Sequence, residues 1–221
     1  MRMLTVVKCG GAALIRGPFR LERYVEPAEE VCVVHGAGGR ITSALEAAGI
    51  ASRFVDGRRV TTAEALPLVR ESYRVENERL CEQIGPRALG LMGDELGLEA
   101  DRVDGLGHVG LPRPVVPPGL WHALEARRVP VIAPLARGPL NVNADDAAAA
   151  LSIGLGADRL IFVSDVEGVF VDGEVVDELS AREIEQLDGL LRGGIVPKLQ
   201  AALAAAREGV RAEVGRTLVV A

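Results

Sequence analysis

The sequence predicts an α/β fold, a three-layer sandwich with a mainly parallel central sheet. The first observation is that short apolar runs, typical of buried strands, alternate with amphipathic or alanine-rich stretches, typical of helices. The second is that two of the apolar runs end in glycine-rich loops. The third is a hydrophobic content of 48% and a mean hydropathy of +0.21, which give 221 residues ample material for a core. No repeat or linker is visible, so residues 1–221 are predicted to form a single domain.

The composition argues against several classes of protein. A formal net charge of −6 and the absence of a basic stripe speak against nucleic-acid binding. No uncharged run approaches the ~18 residues of a membrane span, and the first apolar run is too short for a signal peptide. The three cysteines form no C-x-x-C and have no histidine at ligand spacing, which favours buried thiols. We therefore expect a cytoplasmic protein that holds no metal of its own.

Periodicity and turn residues predict the elements of the first 135 residues. The expected elements are a strand at 3–7, a short helix at 21–26, a strand at 31–34, a helix at 40–48, a β-hairpin at 52–61, a helix at 62–84, a strand at 86–92, a glycine-rich β-ribbon at 105–110, a helix at 120–127 and a strand at 129–135. Asp56-Gly57 marks the hairpin turn, and Thr62 marks the cap of the long helix. Residues 105–110 match G-x-G-x-x-G, but no strand precedes them and no helix follows, so they do not indicate a dinucleotide site.

The rest of the chain continues the alternation of strands and helices. The expected elements are a helix at 147–155, a strand at 159–164, a second hairpin turn at Asp172-Gly173, a helix at 180–189 and a helix at 197–208. Pro197 suits the first position of the last helix, because proline has no N–H to satisfy there. Either Asp145 or Asp146 could cap the helix at 147–155.

The use of lysine singles out three residues. Of the 25 lysines and arginines, only Lys8 and Lys198 are lysines. Lysine presents a compact charge on a flexible stem, whereas arginine presents a planar fork. Lys8 follows the first predicted strand and Lys198 lies at the start of the last predicted helix, each beside glycines. We group Lys8, Lys198 and Asp145 as one candidate site; a helix cap is the alternative for Asp145.

Two glycine-rich loops supply candidate anion-binding groups. Gly10 and Gly11 follow the first lysine, while Gly36 and Gly38 lie between a predicted strand and a predicted helix. Backbone N–H groups in such loops and at helix N-termini bind phosphate, although a plain turn is the alternative for the first loop. His35, at the end of its strand, is more typical of a residue that satisfies backbone groups than of a catalytic one. No G-x-x-x-x-G-K-[ST] occurs, which excludes a P-loop.

Further polar residues are candidates for binding an acceptor and a nucleotide. Arg58 and Arg59 lie just past the first hairpin tip, where one of them could hold a carboxylate; a solvated tip is the alternative. Asn141 and Asn143 offer paired donors and acceptors. Asp165 leaves a predicted buried strand, a position suited to a nucleotide or its Mg²⁺ and equally to a loop cap.

Together these motifs resemble those of the amino acid kinase family, and within it the acetylglutamate kinases. The resemblance runs nearly end to end. The shared stretches are K-C-G-G at 8–11, V-H-G-A-G at 34–38, D-G-R-R-V-T at 56–61, L-G-H-V-G-L at 106–111, N-V-N-A-D at 141–145, G-A-D-R-L-I-F-V-S-D-V-E-G-V at 156–169 and G-G-I-V-P-K-L at 193–199. N-V-N-A-D and L-G-H-V-G-L are the stretches specific to the family; the glycine-rich loops alone are not specific to it.

The resemblance implies roles for three groups of residues. Those that neutralise charge on the transferred phosphoryl group, with the aspartate holding both ammonium groups, are Lys8, Lys198 and Asp145. Those that line the phosphate path or lie on the nucleotide side are Gly10, Gly11, Gly36, Gly38 and Asp165. Those that hold the carboxylates of the acceptor are Arg59, Asn141 and Asn143.

The implied reaction is the ATP-dependent phosphorylation of the γ-carboxylate of N-acetyl-L-glutamate in arginine biosynthesis, with Mg²⁺ carried by ATP. Residues 1–150 would form an acceptor lobe with the contacts of a homodimer, and residues 151–221 a nucleotide-binding lobe. The alternatives are a kinase for aminoadipate or glutamate bound to an amino-group carrier protein, and an inactive nucleotide-binding regulator. The chain departs from the family in its short 12–30 region, its short C-terminal part and Ala37, which replaces a common glycine.

Overall fold

The computed structural model describes residues 2–10, 18–164, 166–187 and 194–221. Its helices are α1 (Gly38–Ala47), α2 (Ala65–Ile84), α3 (Gly93–Leu96), α4 (Pro118–Glu125), α5 (Ala144–Leu155), α6 (Ala181–Gln186) and α7 (Ile195–Arg207), with a 3₁₀ turn at Leu21–Arg23. Its strands are β1 (Leu4–Cys9), β2 (Glu30–His35), β3 (Phe54–Val55), β4 (Arg58–Arg59), β5 (Ala88–Met92), β6 (Ala100–Arg102), β7 (Val109–Pro112), β8 (Val129–Ala133), β9 (Leu135–Ala136), β10 (Leu140–Val142), β11 (Arg159–Val163), β12 (Phe170–Val171), β13 (Glu174–Val175), β14 (Glu178–Ser180), β15 (Arg211–Val214) and β16 (Thr217–Val220). Within the described ranges, every helix is too short or too polar to cross a membrane.

One large sheet joins the two halves of the chain. Its eight described strands follow the order β14-β16-β15-β11-β1-β2-β8-β5, and each neighbouring pair is parallel except β15 and β16. β1 lies between β2 and β11, and its residue Lys8 is paired with Val34 and Phe162. The strand is buried along its whole length and is mostly apolar, because helices cover both faces of a parallel sheet. The predicted mainly parallel sheet is confirmed.

The side chains of β1 alternate between two helical layers. Val6 belongs to the apolar core shared with α5 and α7, whereas Val7 belongs to the core that includes Leu80 of α2. Lys8 has the parity of Val6, so its side chain lies on the side of α5. The alanine-rich α5 contacts both β1 and α7, and its small side chains allow this close packing. The predicted three-layer arrangement follows from these contacts.

A second, four-stranded sheet carries the asparagine-rich stretch. Its strand order is β6-β7-β10-β9. β6 and β7 form an antiparallel ribbon, as predicted, but its strands lie at 100–102 and 109–112 and most of the predicted 105–110 segment is the connection between them. β7 pairs in parallel with β10, which contains Asn141. Gly110 is required at this crossing, because a β-carbon there would lie 2.8 Å from Cβ of Ala100 and 3.1 Å from Cβ of Leu140.

Both Asp-Gly hairpin turns are confirmed. Asp56 and Gly57 have φ values of 47° and 73°, and Asp172 and Gly173 have 52° and 87°. These left-handed conformations belong to the tight turns that match the twist of a two-stranded ribbon. The predicted role of Thr62 is also confirmed, since its Oγ1 accepts a hydrogen bond from the N–H of Ala65 at 3.1 Å.

The start of α5 differs from the prediction. The helix begins at Ala144, three residues earlier than expected. Asn143 is its cap, because Oδ1 of Asn143 accepts hydrogen bonds from the N–H groups of Asp145 at 2.7 Å and of Asp146 at 3.3 Å. The alternative that one of the two aspartates caps this helix is therefore wrong.

Two other helices also begin earlier than predicted. α7 begins at Ile195, so Pro197 is its third residue and not its first. Proline remains compatible with that position, because the N–H groups of the first turn have no acceptor within the helix. α1 begins at Gly38, so the glycine-rich loop leads directly into the helix.

The three cysteines are free thiols. Burial raises the pKa of Cys9 and of Cys32 to about 12, which keeps both sulfurs protonated and unreactive near neutral pH. Cys81 is half-buried, whereas the sequence predicts three buried thiols.

A buried polar contact lies directly behind the second glycine-rich loop. His35, at the end of β2, is fully buried, and its Nε2 accepts a hydrogen bond from Nδ2 of Asn77 at 3.0 Å. The same amide nitrogen donates to the carbonyl of Val131 at 2.7 Å. Burial lowers the pKa of His35 to about 4, so the ring is neutral at neutral pH. This supports the structural interpretation of His35.

The lowered pKa of His35 predicts a pH dependence of stability. The ordinary pKa of histidine is 6.5, and the pKa of His35 in the fold is about 4. Between these pH values the unfolded chain binds more protons than the folded one, so acid destabilises the fold. From pH 7 to pH 5 this group should remove about 2 kcal/mol from the free energy of unfolding. Urea unfolding at the two pH values should show a smaller difference for His35→Gln than for the wild type. The exposed His122→Gln is the matched control; an equal pH difference in all three proteins would contradict the prediction.

Candidate active site

A single cavity of about 560 Å³ lies where the carboxyl ends of β1 and β2 meet the N-termini of α1, α5 and α7. The predicted site residues that line it are Lys8, Gly10, Gly36, Gly38, Arg59, Asn141, Asn143, Asp145 and Lys198. The remaining two, Gly11 and Asp165, lie outside the described residues. The fold therefore brings together predicted site residues from both ends of the chain.

Lys8 and Asp145 form an ion pair in the wall of this cavity. Nζ of Lys8 lies 2.8 Å from Oδ1 of Asp145, and the side chains are 6% and 10% exposed. Lys8 reaches this position because it lies on the α5 side of β1, and Asp145 is the second residue of α5. A carboxylate in the first turn of a helix is favoured by the helix dipole. The pair thus places an ammonium group, already neutralised by a fixed carboxylate, beside the cavity.

Lys198 reaches the same cavity from α7. It is the fourth residue of that helix, and its half-buried side chain lies with Nζ 3.5 Å from the carbonyl of Gly194. The cavity therefore receives both lysines of the sequence, one from the first described strand and one from the last described helix. Two ammonium groups in one concave site suit a ligand with several negative charges.

The glycines contribute to the cavity in different ways. A β-carbon at Gly10 would lie 3.3 Å from Nζ of Lys8, so the glycine leaves space for the ammonium group. Gly36 donates its N–H to the carbonyl of Cys9 at 3.0 Å. This corrects the expectation that the N–H of Gly36 is directed at a phosphate: it closes the strand end instead, and Gly36 contributes its lack of a side chain.

The N-terminus of α1 borders the cavity through Ala37 and Gly38. Ala37 is the cap residue and makes no side-chain capping bond, so the N–H groups of Gly38 and Gly39 have no acceptor within the helix. Ala37 is 3% exposed and packs in the cluster that contains Ile41 and Tyr73. Its φ of −133° is accessible to any residue, so alanine fits here without backbone strain.

Arg59 is held by the protein at the edge of the cavity. Its guanidinium donates to Oγ of Ser52, to the carbonyl of Gly38 at 3.0 Å and to Oγ1 of Thr42 at 2.9 Å. It also lies over the ring of Phe54, 4.5 Å from the centroid. Burial lowers the pKa of Arg59 from its ordinary value. A ligand carboxylate would use the remaining N–H groups or displace one of these acceptors.

Both asparagines of the motif have protein partners. Asn141 donates from Nδ2 to Oγ1 of Thr61 at 3.0 Å, and its Oδ1 accepts from the hydroxyl of Tyr73 at 3.3 Å. Asn143 caps α5 and donates from Nδ2 to the carbonyl of Gly57 at 3.0 Å. The motif therefore ties the first hairpin, α2 and α5 together around the cavity.

Sequence reasoning missed two contacts at this site. Arg58 forms an ion pair with Asp146, 2.7 Å between Nη2 and Oδ2, which ties the hairpin to α5. Burial raises the pKa of Asp146 above its ordinary value although the nearby Arg58 opposes that shift. The tip residue Gly57 also contacts Pro197 of α7. Neither contact has a local sequence signal, because the partners are far apart in the chain.

Comparison with known proteins agrees with the fold and extends it to a family. Residues 3–215 match the sequence model of the amino acid kinase family. Acetylglutamate kinase from Roseiflexus castenholzii is 40% identical over 94% of this chain and 86% of its own length.

Two solved structures show the same fold at lower identity. The structure of smu.665 from Streptococcus mutans UA159 has a TM-score of 0.82 with 23% identity and covers 98% of each chain. Carbamate kinase from Giardia lamblia bound to AMP-PNP has a TM-score of 0.70 with 14% identity, over 99% of this chain and 98% of its own. Because the family model matches almost the whole chain and a relative is 40% identical over most of it, this chain belongs to the amino acid kinase family.

Proposed function

We propose that this chain transfers the γ-phosphoryl group of ATP to the γ-carboxylate of N-acetyl-L-glutamate, a step of arginine biosynthesis. The observation that carries the proposal is the convergence of Lys8, Asp145 and Lys198 on one cavity beside the N-terminus of α1. The acetylglutamate kinase that is 40% identical over most of the chain supports the choice of acceptor. The low identity to carbamate kinase, 14%, gives that activity less support.

The chemistry needs no general base. The acceptor carboxylate is already a nucleophile, so one of its oxygens attacks the γ-phosphorus while the bond to the bridging oxygen of ADP breaks. Negative charge crowds on the transferring group, and the two ammonium groups would lower the energy of that arrangement. Asp145 holds the ammonium group of Lys8 in place, so that the lysine side chain does not turn away from the cavity. The role we assign to this part of the site is therefore positioning and charge neutralisation.

The acceptor is proposed to lie against the first hairpin. Arg59 supplies a guanidinium of fixed orientation, and guanidinium groups match carboxylates in geometry and charge. Asn141 and Asn143 shape this side, although the protein already uses much of their hydrogen-bonding capacity. We assign to both asparagines the role of positioning the hairpin and α5 around the acceptor, in addition to any direct contact with the acceptor.

ATP is proposed to enter from the side of residues 151–221, which carry Lys198 and Asp165. In this proposal residues 1–150 carry the acceptor side, and the boundary between the two lobes lies at 150–151, within α5. Among the described residues, no group of three His, Cys, Asp or Glu side chains could hold a metal ion. In this proposal Mg²⁺ arrives bound to the phosphates of ATP. The N–H groups of Gly38 and Gly39 are suited to those phosphates.

We also propose a homodimer formed through the acceptor side. β5 is the last strand at one edge of the described sheet, and a second copy can cover such an edge. Light scattering should give the mass of two 23.3 kDa chains. A mass of one chain or of six would contradict the dimer.

We also propose a cytoplasmic setting, which the free thiols support.

The substrate is tested by ADP release with four acceptors at matched concentration: acetylglutamate, glutamate, aminoadipate and an amino acid bound to its carrier protein. We expect acceptor-dependent ADP release with acetylglutamate, because the net charge of −6 disfavours docking of an acidic carrier protein. Trapping the product with hydroxylamine should yield a hydroxamate in equal amount, since an acyl phosphate reacts with that nucleophile. The reaction without acceptor is the control. Activity confined to a carrier-bound amino acid, or none with any acceptor, would contradict the proposal.

A further inference from the structure

The tip of the first hairpin lies against the helix that carries Lys198. Gly57 has a φ of 73°, and a β-carbon at this position would lie 2.6 Å from Cγ and 3.3 Å from Cβ of Pro197. The backbone of the tip therefore packs directly on the proline ring. Pro197 immediately precedes Lys198 in the first turn of α7. A side chain at residue 57 would have to push this turn away.

The other side of the tip is fixed to the N-terminus of α5. Nδ2 of Asn143 donates to the carbonyl of Gly57 at 3.0 Å, and Arg58 forms its ion pair with Asp146 at 2.7 Å. Asn143 and Asp146 flank Asp145 in the sequence. The contacts that hold the tip thus come from the same helical turn that holds Lys8.

The proline side of this contact is stiff. The ring fixes φ of Pro197, and its position within a helical turn fixes the direction in which Lys198 leaves the helix. At the start of α7, Gly194 makes no side-chain capping bond. The contact with Gly57 is therefore an external support for this turn.

We propose that the Gly57 tip is a spacer that positions Lys198 by setting the distance between the first turn of α7 and the first turn of α5. Gly57 and Pro197 are positioning residues in this proposal, because they act through Lys198. The inference rests on the proposed phosphoryl transfer. It adds that the hairpin that bears Arg59, on the acceptor side, also positions Lys198, on the nucleotide side. The turn at Gly57 therefore positions both halves of the site.

The second Asp-Gly hairpin provides a matched control. Gly173 has a φ of 87°, and a β-carbon there would have no heavy atom within 4 Å. Gly57→Ala and Gly173→Ala impose similar strain on a left-handed turn residue. Only the first forces a methyl group against Pro197.

The test is a kinetic double-mutant cycle on the full chain with ATP and acetylglutamate. We expect Gly57→Ala to lower kcat at least tenfold with KM changed less than threefold, and Gly173→Ala to stay within twofold of the wild type. Pro197→Ala removes the atom that would be 2.6 Å away. The double variant Gly57→Ala with Pro197→Ala should therefore regain at least fivefold in kcat over Gly57→Ala. A defect due only to hairpin folding would show no such rescue.

Any one of three outcomes would overturn the inference. They are an equal kcat for Gly57→Ala and Gly173→Ala, a double variant whose kcat is no higher than that of Gly57→Ala, and a defect confined to KM for acetylglutamate. Urea unfolding of the same variants measures the contact without any activity. Coupling between residues 57 and 197 in unfolding midpoints is expected, and its absence would overturn the contact. An inactive wild type with intact coupling would instead refute the proposed function together with the kinetic role given to the spacer, and would leave the contact established.

Discussion

The ion pair between Lys8 and Asp145 is the constraint on which the rest of the site depends. Removing a charge from water costs several kcal/mol per ion, so a nearly buried lysine requires a partner at close range. Lys8 is on a strand between two others, and its position is fixed by the register of β1 with both neighbours. The partner must therefore come from the helix on that face. α5 meets this requirement, because its first turn, capped by Asn143, carries Asp145 to within 2.8 Å of Lys8.

The helix N-termini around the cavity have different tasks. In α5, Asn143 satisfies the backbone donors at 145 and 146, so this terminus holds protein carboxylates in place. In α1 the cap residue Ala37 makes no side-chain capping bond, and the N–H groups of the first turn have no acceptor within the helix. In α7 the terminus carries Lys198 and rests on the hairpin tip. The N-termini of three helices thus border one cavity and bring Asp145, Gly38 and Lys198 to it.

Local patterns predicted the parts of the fold that local chemistry decides. The Asp-Gly turns, the Thr62 cap and the buried strands follow from conformational preference and apolar periodicity, and the structure confirms them. Two lysines among many arginines led to residues that share a cavity. The sequence could not show which of several possible hydrogen bonds would form. Asn143 caps α5 in place of its aspartate neighbours, and the carbonyl of Cys9 accepts the N–H of Gly36. The contact of Gly57 with Pro197 has no local signature because it joins distant segments.

The central claim is that both lysines act on the transferring phosphoryl group. Steady-state turnover of Lys8→Ala and Lys198→Ala, with KM for ATP and acetylglutamate, tests it most directly. Loss of one donor to developing charge costs roughly 10²–10³ in turnover, so each variant should lose that much while both KM values change little. Either variant that keeps more than about a tenth of wild-type turnover, or that loses activity through KM alone, would contradict the claim.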